Sequence, residues 1–128
     1  MSTCKHALST LLLALVASGQ TVLLVDEVNG PYFDIQSAVD AAQDGDIVDL
    51  GGFANTHSED IDVVGKSLTL RNGFNTGELT VTGLGPQHRL RLIDMTCFQT
   101  FTSYKTVSIT GSGGHVIIED STIGLSSW

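Results

Sequence analysis

Two arginines one residue apart, Arg89 and Arg91, and three aromatic residues further along, Phe98, Phe101 and Tyr104, are the side chains of this sequence best suited to touch a ligand. If Leu90 points into a core, the period-two alternation of a strand sets both guanidinium groups on one outer face. Aromatic rings carry a flat apolar face that can stack on sugars. Together the five residues would form a glycan-contacting surface. Each also has a plainer reading: surface arginines lie solvated along apolar neighbours, and most aromatics turn inward to fill a core.

Other reactive residue types are present in weaker patterns. Asp44-Gly45-Asp46 with Asp49, and Glu59-Asp60 with Asp62, offer the hard oxygen ligands that suit calcium. Neither spacing matches an EF-hand or a glycine-rich calcium repeat, and the first cluster also ends a helix and starts a strand, which explains its Asp and Gly without a metal. No metal or other cofactor is therefore expected. His57 reads as a polar-loop residue and His88 precedes a strand, with no partner placed beside either by spacing. The acidic balance, a formal charge of −8, and the lack of a basic patch with interleaved aromatics argue against nucleic acid as a partner.

The elements that would carry these side chains follow from a repeat. Ile61-Asp62-Val63-Val64-Gly65, Leu79-Thr80-Val81-Thr82-Gly83 and Val107-Ser108-Ile109-Thr110-Gly111 share one pattern: apolar, polar, apolar, variable, glycine. Each is followed by a second short run, Leu68 to Asn72, Leu90 to Asp94 and Val116 to Asp120, which ends in Asn or Asp. Strands this short, recurring every ~20 to 28 residues, cannot bury an apolar face singly but can do so when stacked. Asn72, Asp94 and Asp120 then fall at equivalent turns, where a short polar side chain tolerates a left-handed backbone. A β-sandwich would instead need chain reversals at closer spacing.

Upstream, Ile35, Ala38, Val39 and Ala42 have helical spacing, with Asp34 as N-cap and Asp44-Gly45 as a stop. A helix over 35–42 would cover the open apolar end of the first coil. Val22 to Val25 suits a leading strand, Asn29-Gly30-Pro31 a turn, and Asp46 to Leu50 the start of the first coil.

Lys5 and His6 precede an apolar run from Ala7 to Ala17 and then Ser18-Gly19, the layout of a signal peptide over residues 1–20. The run is shorter than the ~20 residues of a spanning helix, so no transmembrane anchor is expected after cleavage. The mature chain, 21–128, would be secreted or held at the cell surface. It would keep Cys97 alone, which reads as a small buried apolar residue.

The stretch Tyr32-Phe33-Asp34-Ile35-Gln36-Ser37-Ala38-Val39-Asp40-Ala41-Ala42, with Asp44-Gly45-Asp46-Ile47-Val48, resembles the opening of pectin-lyase-like β-helix proteins. Gly52-Phe53, Glu59 to Val63 and Gly65 to Leu70 are similar to that family's first full coil. The resemblance implies an all-β, right-handed parallel β-helix with a short N-terminal capping helix. It spans lyases, hydrolases, esterases, phage tailspikes and many exported bacterial proteins, so it selects no activity. The Asn-Thr-Asp and paired-Asp strand motifs of the hydrolases are missing. Gly113-Gly114-His115 lacks the glycine that should follow the histidine, and no carboxylate row adjoins Arg89 and Arg91.

The expectation is an exported β-helix scaffold or carbohydrate-facing binding module, with polysaccharide or cell-surface glycan as its partner. The outer strand faces and an excursion over 95–106 would form the contact surface. The alternative is the N-terminal fragment of a polysaccharide lyase or glycoside hydrolase. No second cap is evident after Val116 to Asp120, which would leave an uncapped C-terminal coil as a surface for self-association.

Overall fold

The computed structural model of the chain describes residues 19–52, 55–75, 77–99 and 107–125. The expected signal peptide falls outside them, apart from its last two residues. The three similar runs do stack: β4 (Ile61–Val64), β6 (Leu79–Thr82) and β8 (Val107–Thr110) form a parallel sheet in which Ile61 registers with Leu79 and Leu79 with Val107. A second parallel sheet runs through β1 (Val22–Leu24), β2 (Asp46–Asp49), β5 (Leu68–Asn75) and β7 (Arg89–Gln99). β3 (Thr56–His57) lies along the second half of β5, while β9 (His115–Glu119) and β10 (Thr122–Leu125) lie along the two halves of β7. Among the described residues the chain is a parallel β-solenoid of about four turns with one short helix.

Each full coil has three faces, where the sequence repeat suggests two. The strands read as ending at Asn72 and Asp94 continue past them, because those residues turn a corner with φ of 59° and 52° and the ladder resumes on the next face. Asp120, at 49°, makes the same corner between β9 and β10. An Asn or Asp adopts this region at lower cost than a β-branched residue, so one residue type recurs wherever the solenoid bends. The register confirms the stack, since Asn72 and Asp94 lie between the aligned pairs Arg71–Ile93 and Gly73–Met95. It also corrects the excursion expected over 95–106: Met95 to Gln99 is strand, paired with β5 and β10, and 100–106 lies outside the described residues.

Alternation decides which side chains are inside. Leu68, Leu70, Leu90 and Leu92 are at most 2% exposed, as are Ile61, Val63, Leu79 and Val81 on the facing sheet. Burying each such side chain is worth roughly 1.5–3 kcal/mol, and the register places them in columns one coil apart. Cys97 joins this core at 1% exposure.

The helix α1 (Ile35–Ala41) starts at Asp34, whose carboxylate accepts the Ser37 backbone N–H at 2.7 Å. At seven residues it could not persist alone; the first coil holds it at both ends. Glu59 accepts the Gln36 N–H at 2.8 Å, and the Lys66 ammonium donates to the carbonyls of Val39 and Ala42 at 2.9 and 3.0 Å. The Gln36 amide accepts the Asp62 N–H at 2.8 Å and donates to the Asp62 carbonyl at 3.1 Å, as a neighbouring strand would. Ile35, Ala38 and Val39 are buried in the core cluster, and α1 packs against β4 and β2.

Candidate glycan-facing groove

Arg89 and Arg91 both project outward from β7, on either side of the fully buried Leu90. They border an open groove of about 250 Å³ on the outer face of the second sheet, shared with Gln20, Gly45, Ser67, Thr69 and Gln87. The floor is fixed by the ladder. Gly45 donates its N–H to the Ser67 carbonyl at 2.9 Å, and the Ser67 hydroxyl accepts the Arg89 backbone N–H at 3.0 Å. Gln20 reaches across to the Gly45 carbonyl at 2.8 Å, closing one side. Thr69 points outward between Ile47 and Arg91 in register, yet it is only 9% exposed.

The charges in the groove are unevenly committed. Arg91 pairs with Glu119 at 2.6 Å, both side chains remaining almost half exposed. Arg71 pairs with Asp49 at 2.8 Å, and Lys66 is held by helix carbonyls. Among the described lysine and arginine side chains, Arg89 is the one with no hydrogen bond or ion pair. An unpaired guanidinium presents a planar fork of donors that matches carboxylate or sulfate groups. The Arg91–Glu119 pair beside it supplies a donor and an acceptor for hydroxyls.

Phe98 lies on β7, with its side chain outside the described residues, as are Phe101 and Tyr104 entirely.

The acidic clusters serve as backbone caps and links between coils. The two oxygens of Asp46 accept the N–H groups of Thr21 and Gln43, each at 2.9 Å. Asp44 takes the Ser67 N–H at 2.7 Å, Asp49 the Gly51 N–H at 2.9 Å, and Asp60 the Glu78 N–H at 2.8 Å. Carboxylates bound this way hold successive turns together. Hydrogen bonds from the N–H groups of Val28 and Asn29 keep Asp26 below the usual carboxylate range, and the Ser37 N–H and hydroxyl do the same for Asp34. Burial pushes the Cys97 thiol up to about 11, so it is no thiolate nucleophile at neutral pH.

His57 departs from the polar-loop reading. It is 1% exposed on β3, with Nε2 at 3.3 Å from the Leu50 carbonyl and Nδ1 at 3.3 Å from Glu27. One coil further along the same column, Asn75 is fully buried; its amide accepts the Glu59 N–H at 3.2 Å and donates to the Glu59 carbonyl at 2.9 Å. Neither had a sequence signal, because a polar residue on a short strand reads as a turn until the coil winds around it. His88 is committed to its own turn, with Nδ1 accepting the Gly85 N–H at 2.8 Å.

Comparison with known proteins finds no matching family model, no matching curated protein and no matching solved structure.

Proposed function

We propose that this chain is an exported, pectin-lyase-like β-helix that binds an anionic glycan along its outer face and does not cleave it. The observation that carries the reading is Arg89: an unpaired guanidinium beside Arg91 in an open groove, on a chain of net charge −8. Self-repulsion would disfavour acidic ligands over most of such a surface, so a local basic groove supplies selectivity. A flat ladder with side chains at regular intervals also suits a polymer that repeats along its length. Export rests on the Lys5-His6 and Ala7 to Ala17 layout.

The test is calorimetric titration with oligogalacturonates and with neutral oligosaccharides of equal length. Binding should be confined to the acidic series and weaken with salt. Arg89→Ala should lower affinity about tenfold or more, as expected for a lost charge-assisted hydrogen bond. Equal binding of neutral sugars, or an unaffected Arg89→Ala protein, would overturn the assignment. Calcium-dependent release of unsaturated products from polygalacturonate would replace binding with lyase chemistry.

A further inference from the structure

Two ion pairs on the outer face of the second sheet join an arginine to an acid of a neighbouring coil, and they are built differently. Arg71 meets Asp49 in direct register. The Asp49 carboxylate also accepts the Gly51 N–H at 2.9 Å and the Asn72 amide at 3.4 Å, so its own turn fixes it. Arg91 instead has Ile117 beside it in register, while Glu119 stands in the column of Ile93. Glu119 crosses to the adjacent column to reach one nitrogen of the Arg91 guanidinium at 2.6 Å. The two side chains stay 45% and 44% exposed, and among the described residues the Glu119 carboxylate has no second partner. An exposed pair of this kind adds little to stability, so opening it costs little.

We infer that Glu119 is an internal competitor for the ligand's acid groups: its carboxylate occupies Arg91 and has to be displaced before that guanidinium binds an anionic glycan. The inference rests on the groove being an anion site. Arg91 belongs to the groove lining, whereas Glu119 reaches it from the next coil. While Glu119 holds it, the Arg91 charge is neutralised and one edge of its donor fork is taken. At rest the groove therefore offers one free guanidinium, Arg89. A single acid group can take Arg89 without disturbing the pair. A second acid group on a neighbouring unit gains Arg91 only by expelling a carboxylate of the same charge, which repels it on approach. Glu119 is thus a specificity determinant: it makes Arg89 the first point of contact and lowers affinity for densely acidic glycans.

Titration of oligogalacturonate into the parent, Glu119→Gln, Arg91→Ala and the double variant tests it. Glu119→Gln should tighten binding about two- to fivefold, the range set by losing one exposed ion pair. In the Arg91→Ala background the same change should alter affinity little. Asp120→Asn removes an equal charge one residue away and suits the corner, since Asn72 occupies an equivalent one. It should leave binding nearly unchanged, which separates displacement from general repulsion. A second measurement needs no glycan: modification of arginines by phenylglyoxal, mapped by peptide mass. Arg89 should react faster than Arg91 in the parent, and Glu119→Gln should speed Arg91 severalfold while leaving Arg89 as it was. A parent that binds, with no gain in Glu119→Gln, an equal gain in Asp120→Asn or in the Arg91→Ala background, or Arg91 labelling indifferent to Glu119, would overturn the competitor alone. Oligogalacturonate that binds none of the proteins would overturn the groove reading and the competitor with it.

Discussion

At the N-terminal end of the solenoid the side chain of Gln36 bonds both backbone groups of Asp62, and α1 lies over the aliphatic rows of the first coil. At the C-terminal end the same rows continue through Val107, Ile109, Val116 and Ile118, but among the described residues no side chain plays the part of Gln36 there. The residue types are alike and the outcomes opposite. Burial in a stacked fold is thus a property of having a neighbour on both sides, not of the residue alone, and stability along the axis should be graded accordingly.

The largest effect should separate two members of one column. Leu92→Ala should cost about 2–5 kcal/mol in urea denaturation, as for a fully packed core position. Ile118→Ala should cost about 1 kcal/mol or less, because Ile118 is 49% exposed. Equal losses would show that the last coil is as sealed as the inner ones.

A smaller contrast lies in the glycines. A methyl group at Gly73 would overlap the Leu50 side chain, whereas at Gly124 it would meet nothing within 4 Å. Gly73→Ala should lower stability by about 1–3 kcal/mol, as overpacking does, and Gly124→Ala should be near neutral. A Gly73→Ala protein melting with the parent would break the comparison.

The cap offers a third test. Asp34→Ala should cost about 0.5–2 kcal/mol. Because the folded carboxyl titrates below its ordinary value, the stabilisation is present above the unfolded pKa and is lost as pH falls through the depressed one. Asp34→Asn should keep much of the cap while flattening that acid dependence. Melting temperatures from neutral to acid pH would show it, and a parallel acid slope in the Asn variant would refute it.

Cys97 gives the finest probe, since Ile123 of the last coil sits over it in register. Its native thiol should resist alkylation at neutral pH, and Ile123→Asp should speed labelling by loosening that coil. The folded pKa, about 11, exceeds the reference value of 9.0, so folding favours the neutral thiol and stability should fall as pH rises between them. Labelling as fast as in urea would mean that the last coil does not protect the thiol.

Much of the fold was legible beforehand because its signals are local. Period-two alternation named the inward residues, the Asn and Asp repeats named the corners, and Asp34 with the spacing from Ile35 to Ala42 named the cap helix. Of the candidate site, the shared outer face of Arg89 and Arg91 followed from the same alternation. The groove they border did not, because Gln20, Gly45 and Ser67 reach it from other coils. His57 and Asn75 were missed for the same reason: their burial is made by chain that is distant in sequence.

By itself, then, the sequence determined the repeat, the inward rows, the corner residues and the capping helix, each set by the steric and hydrophobic preferences of residues within a few positions of one another. Only the tertiary structure decided that a coil has three faces, that acidic clusters bridge successive turns, that Arg89 stays unpaired and that Ile109 and Ile118 stay exposed. Those outcomes depend on which coil lies above or below a residue, and winding the chain brings together groups that no local preference connects.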